Sequence, residues 1–385
     1  MNSRYDVIVA GLGAMGSATA AHLATRGKKV LGLERWSPGH RYGSSHGDSR
    51  IIREMYFEHP MYVPILGRAY ELWAELGQRT GKDLLHVNGG LMIGPEDGML
   101  VTGTRRSAKE YNLAHEVLSP AEVKERYPAF ELRSDYVAVL DPRAGYLDPE
   151  VCNGAHWAVA RELGADLREC EPALSWTADN DGVSVTTPVD TYHADHLVLA
   201  VGARTLSLLN GIPLSLEIER QVVFWLEPDI RSRNYDASRF PIYIHEYAEG
   251  AVCYGFPRLS RGVKASGMHS GEKSANADEV RRSVNENEVE PLRDALSNIL
   301  PELASAPVLE SDVCIFTNTP DHDFVIDFHP EFPRVVVSSA CSGHGFKFAS
   351  AIGEIQADLV TKGKSRFDLS PFSMARAKIN KRSHM

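Results

Sequence analysis

Cysteine is scarce in this chain. Five residues in 385 (Cys152, Cys170, Cys253, Cys314 and Cys341) form an odd, scattered set with no C-x-x-C pair. That pattern argues against a disulfide framework and a structural zinc site, and no metal site is expected. Long apolar runs are also absent, since none approaches the roughly 18 residues needed to cross a bilayer. Residues 1–20, MNSRYDVIVAGLGAMGSATA, lack the basic start and long apolar core of a signal peptide, so a cytoplasmic protein with reduced thiols is expected. Positive charge is in the minority. Lys+Arg 41 against Asp+Glu 51 leaves a net charge of −10, which disfavours nucleic acid and anionic membrane surfaces as partners. Repeats and low-complexity tracts are missing. With 43% apolar and 24% charged residues the composition is that of a globular protein, and the length predicts two domains, interleaved in sequence.

What is present begins with Tyr5 to Ala10 (YDVIVA), a nearly uninterrupted β-branched run that predicts a parallel strand buried on both faces. Gly11-Leu12-Gly13-Ala14-Met15-Gly16 follows, then a small-residue helix to Gly27 and a second strand, Val30 to Leu33, ending at Glu34. This is a βαβ unit with a G-x-G-x-x-G turn. Gly11 makes the tight turn and Gly13 lets the backbone approach a pyrophosphate at the helix N-terminus. Gly16 allows close helix–sheet packing, and Glu34 accepts hydrogen bonds from the adenosine ribose hydroxyls. The unit disfavours NADP, whose 2′-phosphate Glu34 repels, but does not choose between NAD and FAD.

Residues 37–49 read as a long loop, and order resumes at Arg50 to Tyr56. Helices are predicted at Tyr62 to Leu76, Glu150 to Leu163 and Glu288 to Leu300, with strands at 86–94, 135–140, His196 to Ala200, Ser311 to Thr317 and Arg334 to Ser339. From Gln221 the segments QVVFWLE, FPIYIHEY and AVCYGFP predict an aromatic-rich antiparallel sheet, whereas 260–285 is polar and without pattern. A helix is expected to open at Gly343-His344-Gly345-Phe346-Lys347 and run to about Thr361.

Several segments together resemble the monomeric sarcosine oxidase and N-methyltryptophan oxidase family of flavin amine oxidases. They are Gly43 to Arg53 (GSSHGDSRIIR), Tyr254-Gly255-Phe256-Pro257, Val313 to Thr317 (VCIFT), Asp323 to Asp327 (DFVID), Ser342 to Phe348 (SGHGFKF) and Phe367 to Phe372 (FDLSPF). The resemblance implies an α/β + β fold, an FAD-binding Rossmann-like domain (1–85, 145–215 and 320–385) interleaved with a mostly antiparallel β-sheet substrate domain (86–144 and 216–319). It also implies a monomer that oxidises a secondary amino acid at its C–N bond, with dioxygen reduced to hydrogen peroxide. Cys314 matches the cysteine that holds FAD through a thioether; from the strand alone it reads rather as an inert buried thiol. Cys341 matches no family role and reads as structural.

Arg53 and Lys347 match the pair that holds the substrate carboxylate, consistent with the need of a buried anion for compensating cations. Arg50 and Arg53 share a face if their segment is helical; the alternative for Arg53 is surface pairing with Asp48 or Glu54. By the same resemblance Arg50 and His46 lie near the flavin ring, and Lys264 promotes oxygen reduction by offering a fixed ammonium. Tyr254 contacts substrate. Gly202, Gly343, His344 and Gly345 lie along the cofactor, where glycine permits close approach and helix-terminal amides favour negative charge. The residue-level alternatives are a loop histidine, a surface lysine and an ordinary sheet aromatic. Three departures bear on the substrate: Phe316 stands where tyrosine is usual, Arg204 where tryptophan is common, and Ile244 to Val252 carries an extra residue. Two further readings stay open, an NAD-dependent dehydrogenase and a flavin-binding protein without oxidase activity.

Overall fold

The computed structural model describes residues 4–209, 212 and 214–376; residues 1–3, 210, 211, 213 and 377–385 of the expected FAD-binding segments lie outside the described residues. Strand Tyr5–Ala10 sits inside an eight-stranded sheet, paired in parallel with Val30–Leu33 on one side and Thr191–Leu199 on the other. Its near-continuous hydrophobicity has a direct cause. Val7 and Val9 face a core shared with helices Ala14–Thr25, Val63–Thr80, Pro149–Glu162 and Ala349–Lys362, while Ile8 and Ala10 face a second core containing Trp176, Leu197 and Leu208. Thr191–Leu199 serves two partners on its far edge. Its first half pairs antiparallel with Val183–Thr186, and Leu197 to Leu199 pair in parallel with Val335 to Val337. Strands from the start, middle and end of the chain therefore lie side by side.

A nine-stranded sheet takes in Gly90–Pro95, Glu116–Leu118, Tyr136–Asp141 and the strands between Glu217 and Asn318. It is antiparallel except where Ile242–Ala248 pairs in parallel with Gly90–Pro95. The strand predicted over 86–94 is two strands: Leu85–Val87 joins Arg50–Ile52 and Gly145–Leu147 in a small third sheet, and Gly89 (φ +80°) turns the chain into Gly90–Pro95. Within 244–252, where an extra residue is expected, the register between Ile242–Ala248 and Ala251–Leu259 is irregular between Glu246 and Ala248.

Three further expectations are corrected. The segment 260–285 is not wholly irregular, because Gly262–Gly267 is a buried strand between Glu217–Leu226 and Ala251–Leu259. Its polar-looking sequence comes from Lys264 and Ser266, both buried and both hydrogen-bonded. Arg50–Ile52 is a strand, so Arg50 and Arg53 do not share a helical face. The helix expected from Gly343 begins as a short 3₁₀ turn at Phe346–Phe348 and becomes α-helical only at Ala349. The amides of His344 and Gly345 both donate to the Cys341 carbonyl rather than standing free at a helix end.

Candidate active site

A cavity of about 730 Å³ runs between the two large sheets, from the Gly11–Met15 turn and Glu34 to Arg53, Tyr254 and Lys347. At the first end the glycines behave as their spacing implies. Gly11 has φ +84°, and a Cβ there would lie 2.6 Å from the Ala200 carbonyl oxygen; one on Gly16 would lie 1.8 Å from the Gly11 oxygen. Gly13 is the N-cap of helix Ala14–Thr25 and brings no side chain to cap it, and the first turn has no acidic residue, leaving a helix N-terminus suited to an anion. Glu34 accepts the Leu12 N–H at 2.8 Å and the Trp36 N–H at 3.0 Å, which fixes its carboxylate on the cavity wall. A cradle that side chains would fill, a helix end free of acidic residues and an anchored carboxylate fit the diphosphate and ribose of a dinucleotide. Gly202 (φ +58°) also lines this cavity, beside Arg204, whose guanidinium pairs with Asp278.

Midway, the loop 43–49 is pinned from several sides. Ser45 Oγ accepts the Ala14 N–H at 3.3 Å, Ser44 Oγ donates to the Ile315 carbonyl at 2.5 Å, and Glu150 accepts the Gly47 N–H at 2.6 Å. The strand Val308–Asn318 alternates, so Cys314 and Phe316 face the cavity while Val313 and Ile315 pack against Ile218 and Val280. Arg50 reaches this wall: its Nη2 donates to the Ser44 carbonyl at 2.9 Å and lies 3.5 Å from Cys314 Sγ. Cys341 lines the cavity too, and its sulfur accepts the Thr317 N–H at 3.4 Å.

Lys264 and His46 are not among the described residues that line the cavity. Lys264 is 2% exposed and lies one layer behind, its ammonium donating to the carbonyls of Gly47 (2.6 Å) and Ser49 (2.5 Å), 4.3 Å from the Phe256 ring centre. Arg50 Nη1 donates to that same Ser49 carbonyl at 2.8 Å, so the two cations meet through one oxygen. Burial, and then Arg50, pull the Lys264 amine well below its usual range, with Asp48 and Glu150 opposing. His46 turns its Nδ1 toward Asp312, 3.6 Å away; Asp312 lies below the usual carboxylate range because His46 and Arg41 outweigh its burial.

At the far end Arg53, 2% exposed, donates to Glu58 at 2.7 and 2.5 Å and to the Met55 carbonyl at 3.1 Å. Neither Asp48 nor Glu54 is its partner; Glu54 pairs with Arg143 instead. Lys347 donates to the His344 carbonyl at 2.7 Å, and burial, with Arg53 adding and Glu58 opposing, pulls its amine down to about 7. Glu58 lies below the usual carboxylate range because Arg53, His344 and Lys347 outweigh its own burial. The surrounding wall is largely apolar, formed by Ile51, Phe57, Ile244, Tyr254, Met268 and Phe316. Gly343 (φ +76°), His344 and Gly345 line the same end.

Glu58 and Glu150 were not singled out by sequence. Glu58 carries no motif, and only the folded geometry sets it against Arg53. Glu150, in the first turn of Pro149–Glu162, reads as an ordinary helix-start acid until the loop 43–49 docks on it.

A buried parallel βαβ unit with a bare glycine turn, opening onto a cavity shared with a second sheet, defines a dinucleotide-dependent oxidoreductase. Residues 6–359 match the model of a family described as FAD dependent oxidoreductase. The chain is 41% identical to the monomeric sarcosine oxidase of Streptomyces avermitilis over 98% of both chains. It is 34% identical to the N-methyl-L-tryptophan oxidase of Yersinia pestis over 97% of this chain and 99% of that one. Among solved structures it is similar to NikD, an unusual amino acid oxidase, at 25% identity and a TM-score of 0.84, covering 96% of this chain and 97% of that one. The protein belongs to the FAD-dependent oxidoreductase family, and within it to the monomeric sarcosine oxidase and N-methyltryptophan oxidase group. FAD is its cofactor, and the NAD reading is set aside. No helix among the described residues is long and apolar enough to cross a membrane.

Proposed function

We propose that this protein oxidises the C–N bond of a secondary amino acid, with sarcosine the type substrate. The imine formed is hydrolysed to an aldehyde and a primary amino acid, and dioxygen leaves as hydrogen peroxide. FAD supplies the two-electron acceptance and its return to oxygen. The observation that carries this reading is the pair of buried cations, Arg53 and Lys347, at one end of the cavity beside a largely apolar wall, with Glu58 ion-paired to Arg53. Such a pair fits a carboxylate, and carboxylate capture sets the amine nitrogen and its α-substituents toward the middle of the cavity.

The remaining roles follow position. Gly11, Gly13, Gly16, Glu34 and Gly202 hold the dinucleotide, with Gly343, His344 and Gly345 along its flavin end. Cys314 links covalently to FAD as a cysteinyl thioether, a role supported by its place on the cavity wall beside Arg50. Arg50 offers positive charge to the reduced cofactor, and His46 steadies the loop beneath it through Asp312. Lys264 promotes oxygen reduction through the layer formed by Gly47 and Ser49, and Tyr254 contacts substrate. Segments 1–85, 145–215 and 320–385 form the FAD-binding domain, and 86–144 and 216–319 the substrate domain. The enzyme works as a cytoplasmic monomer.

The test is an absorption spectrum of the purified holoenzyme, of its acid precipitate and of the supernatant, followed by peroxide detection across N-methyl amino acids. Flavin absorbance is expected in the precipitate, and in the supernatant for Cys314→Ala. Wild-type flavin found only in the supernatant overturns the linkage. No peroxide from any N-alkyl amino acid overturns the oxidase reading and leaves a flavin-binding protein.

A further inference from the structure

Tyr56 follows the strand Arg50–Ile52, is fully buried, and belongs to no helix or strand. Its hydroxyl lies 2.5 Å from His344 Nδ1, while the other ring nitrogen of His344 lies 2.9 Å from the His322 carbonyl oxygen. A carbonyl only accepts, so Nε2 carries the hydrogen and Nδ1 is the acceptor. The Tyr56 O–H is therefore the donor to His344. Burial pulls the His344 imidazole down to about 3, so the ring is neutral and both of its nitrogens are engaged. Its backbone carbonyl is the oxygen that holds Lys347 Nζ, at 2.7 Å.

The aromatic ring of Tyr56 has a second engagement. The Arg53 guanidinium lies over it, 4.1 Å from the ring centre, and Lys347 Nζ is 5.3 Å from the same centre. Two like charges buried close together repel; the Glu58 carboxylate offsets part of this, and the electron-rich Tyr56 ring is an aromatic face that meets both cations. Phe348 and Tyr62 pack against the Tyr56 ring at 5.3 and 4.9 Å and leave it little room to turn.

We infer that Tyr56 is the positioning residue that sets the spacing of Arg53 and Lys347, and hence the strength of carboxylate capture. It acts directly through its ring and indirectly through the hydrogen bond to His344. The inference rests on the proposed carboxylate site, and the two are tested apart.

The probe is acetate, titrated into holoenzyme by calorimetry, with steady-state kinetics run alongside. Tyr56→Phe keeps the ring and loses the hydroxyl; Tyr56→Leu loses both. Acetate Kd is expected to rise about threefold in the first and about thirtyfold in the second. KM should rise in parallel while kcat at saturation stays within about threefold, the signature of lost uniform binding. Acetate Kd within about twofold of wild type in both variants overturns the inference, as does a kcat that falls as far as KM rises. If Tyr56→Leu does not retain flavin, Tyr56→Phe decides alone, and an unchanged Kd there refutes it. Arg53→Ala and Lys347→Met separate the underlying reading. If they bind acetate as wild type does, the carboxylate site itself is wrong; if they lose it and the Tyr56 variants do not, only the role of Tyr56 fails.

Discussion

Carboxylate binding should depend on pH through a single side chain. Lys347 loses its proton near 7, because burial and the neighbouring Arg53 guanidinium outweigh the help of Glu58. An anion is held by the protonated form, so apparent affinity scales with the protonated fraction, about 0.9 at pH 6 and about 0.01 at pH 9. The Kd of acetate should be flat below pH 6 and rise about tenfold per unit above pH 8. Where it levels off is set by what Lys347 contributes beyond Arg53. A charge pair at about 4 Å in a medium of effective dielectric about 20 interacts by about 4 kcal/mol, or about three decades, so the plateau lies near or above pH 10. Linkage gives a second signature: binding at pH 8 takes up close to one proton, visible as a buffer-dependent binding enthalpy. The assay is calorimetric titration of holoenzyme from pH 6 to 9 in two buffers, with Lys347→Met as control. A flat wild-type profile, or the same slope in Lys347→Met, refutes the reasoning.

Three further outcomes are expected. Lys347→Met should raise the melting temperature, and by more at pH 6 than at pH 9. A lysine whose folded pKa is depressed opposes folding most where the fold must carry its charge, and less as pH rises from about 7 toward its unfolded value. Lys264→Met should slow oxygen reoxidation of the reduced enzyme by about two orders of magnitude while anaerobic reduction by substrate changes far less, as read by stopped-flow absorbance; equal slowing of both steps would remove its oxygen role. Gly16→Ala places a methyl carbon where the Gly11 carbonyl oxygen is 1.8 Å away, so the apoprotein should lose about 3 kcal/mol or more of stability in urea unfolding.

Much of the fold was legible because its signals are local. Val7 to Ala10 are apolar in succession since two cores claim alternate residues, and the glycines at 11 and 16 stand where backbone crowds backbone. The carboxylate end was only half legible. Arg53 and Lys347 matched a family pattern, but Glu58 and Tyr56 matter through contacts made after the chain has folded across three elements. Lys264 illustrates the same limit. Its neighbours in sequence, Val263 and Ala265, point into the opposite core, and nothing local announces that carbonyls from residues 47 and 49 close over its ammonium. The strand at 262–267 is hard to read for a related reason: Val263-Lys264-Ala265-Ser266 does alternate, but the run is short, glycine-bounded and has a single β-branched residue, and its polar face is buried rather than solvated.

The adjacency of Tyr5–Ala10, Thr191–Leu199 and Val335–Ser339 has a consequence for biogenesis. The glycine turn leaves the ribosome well ahead of the wall formed by Ser338 to Lys347. Synthesis proceeds at roughly 5–20 residues per second, so the turn exists for tens of seconds without the surface that completes its cavity. Full cofactor capture therefore waits until that wall has emerged and folded. A chain truncated before residue 335 lacks an inner strand of its eight-stranded sheet, and it should behave as an aggregation-prone fragment rather than as a smaller flavoprotein.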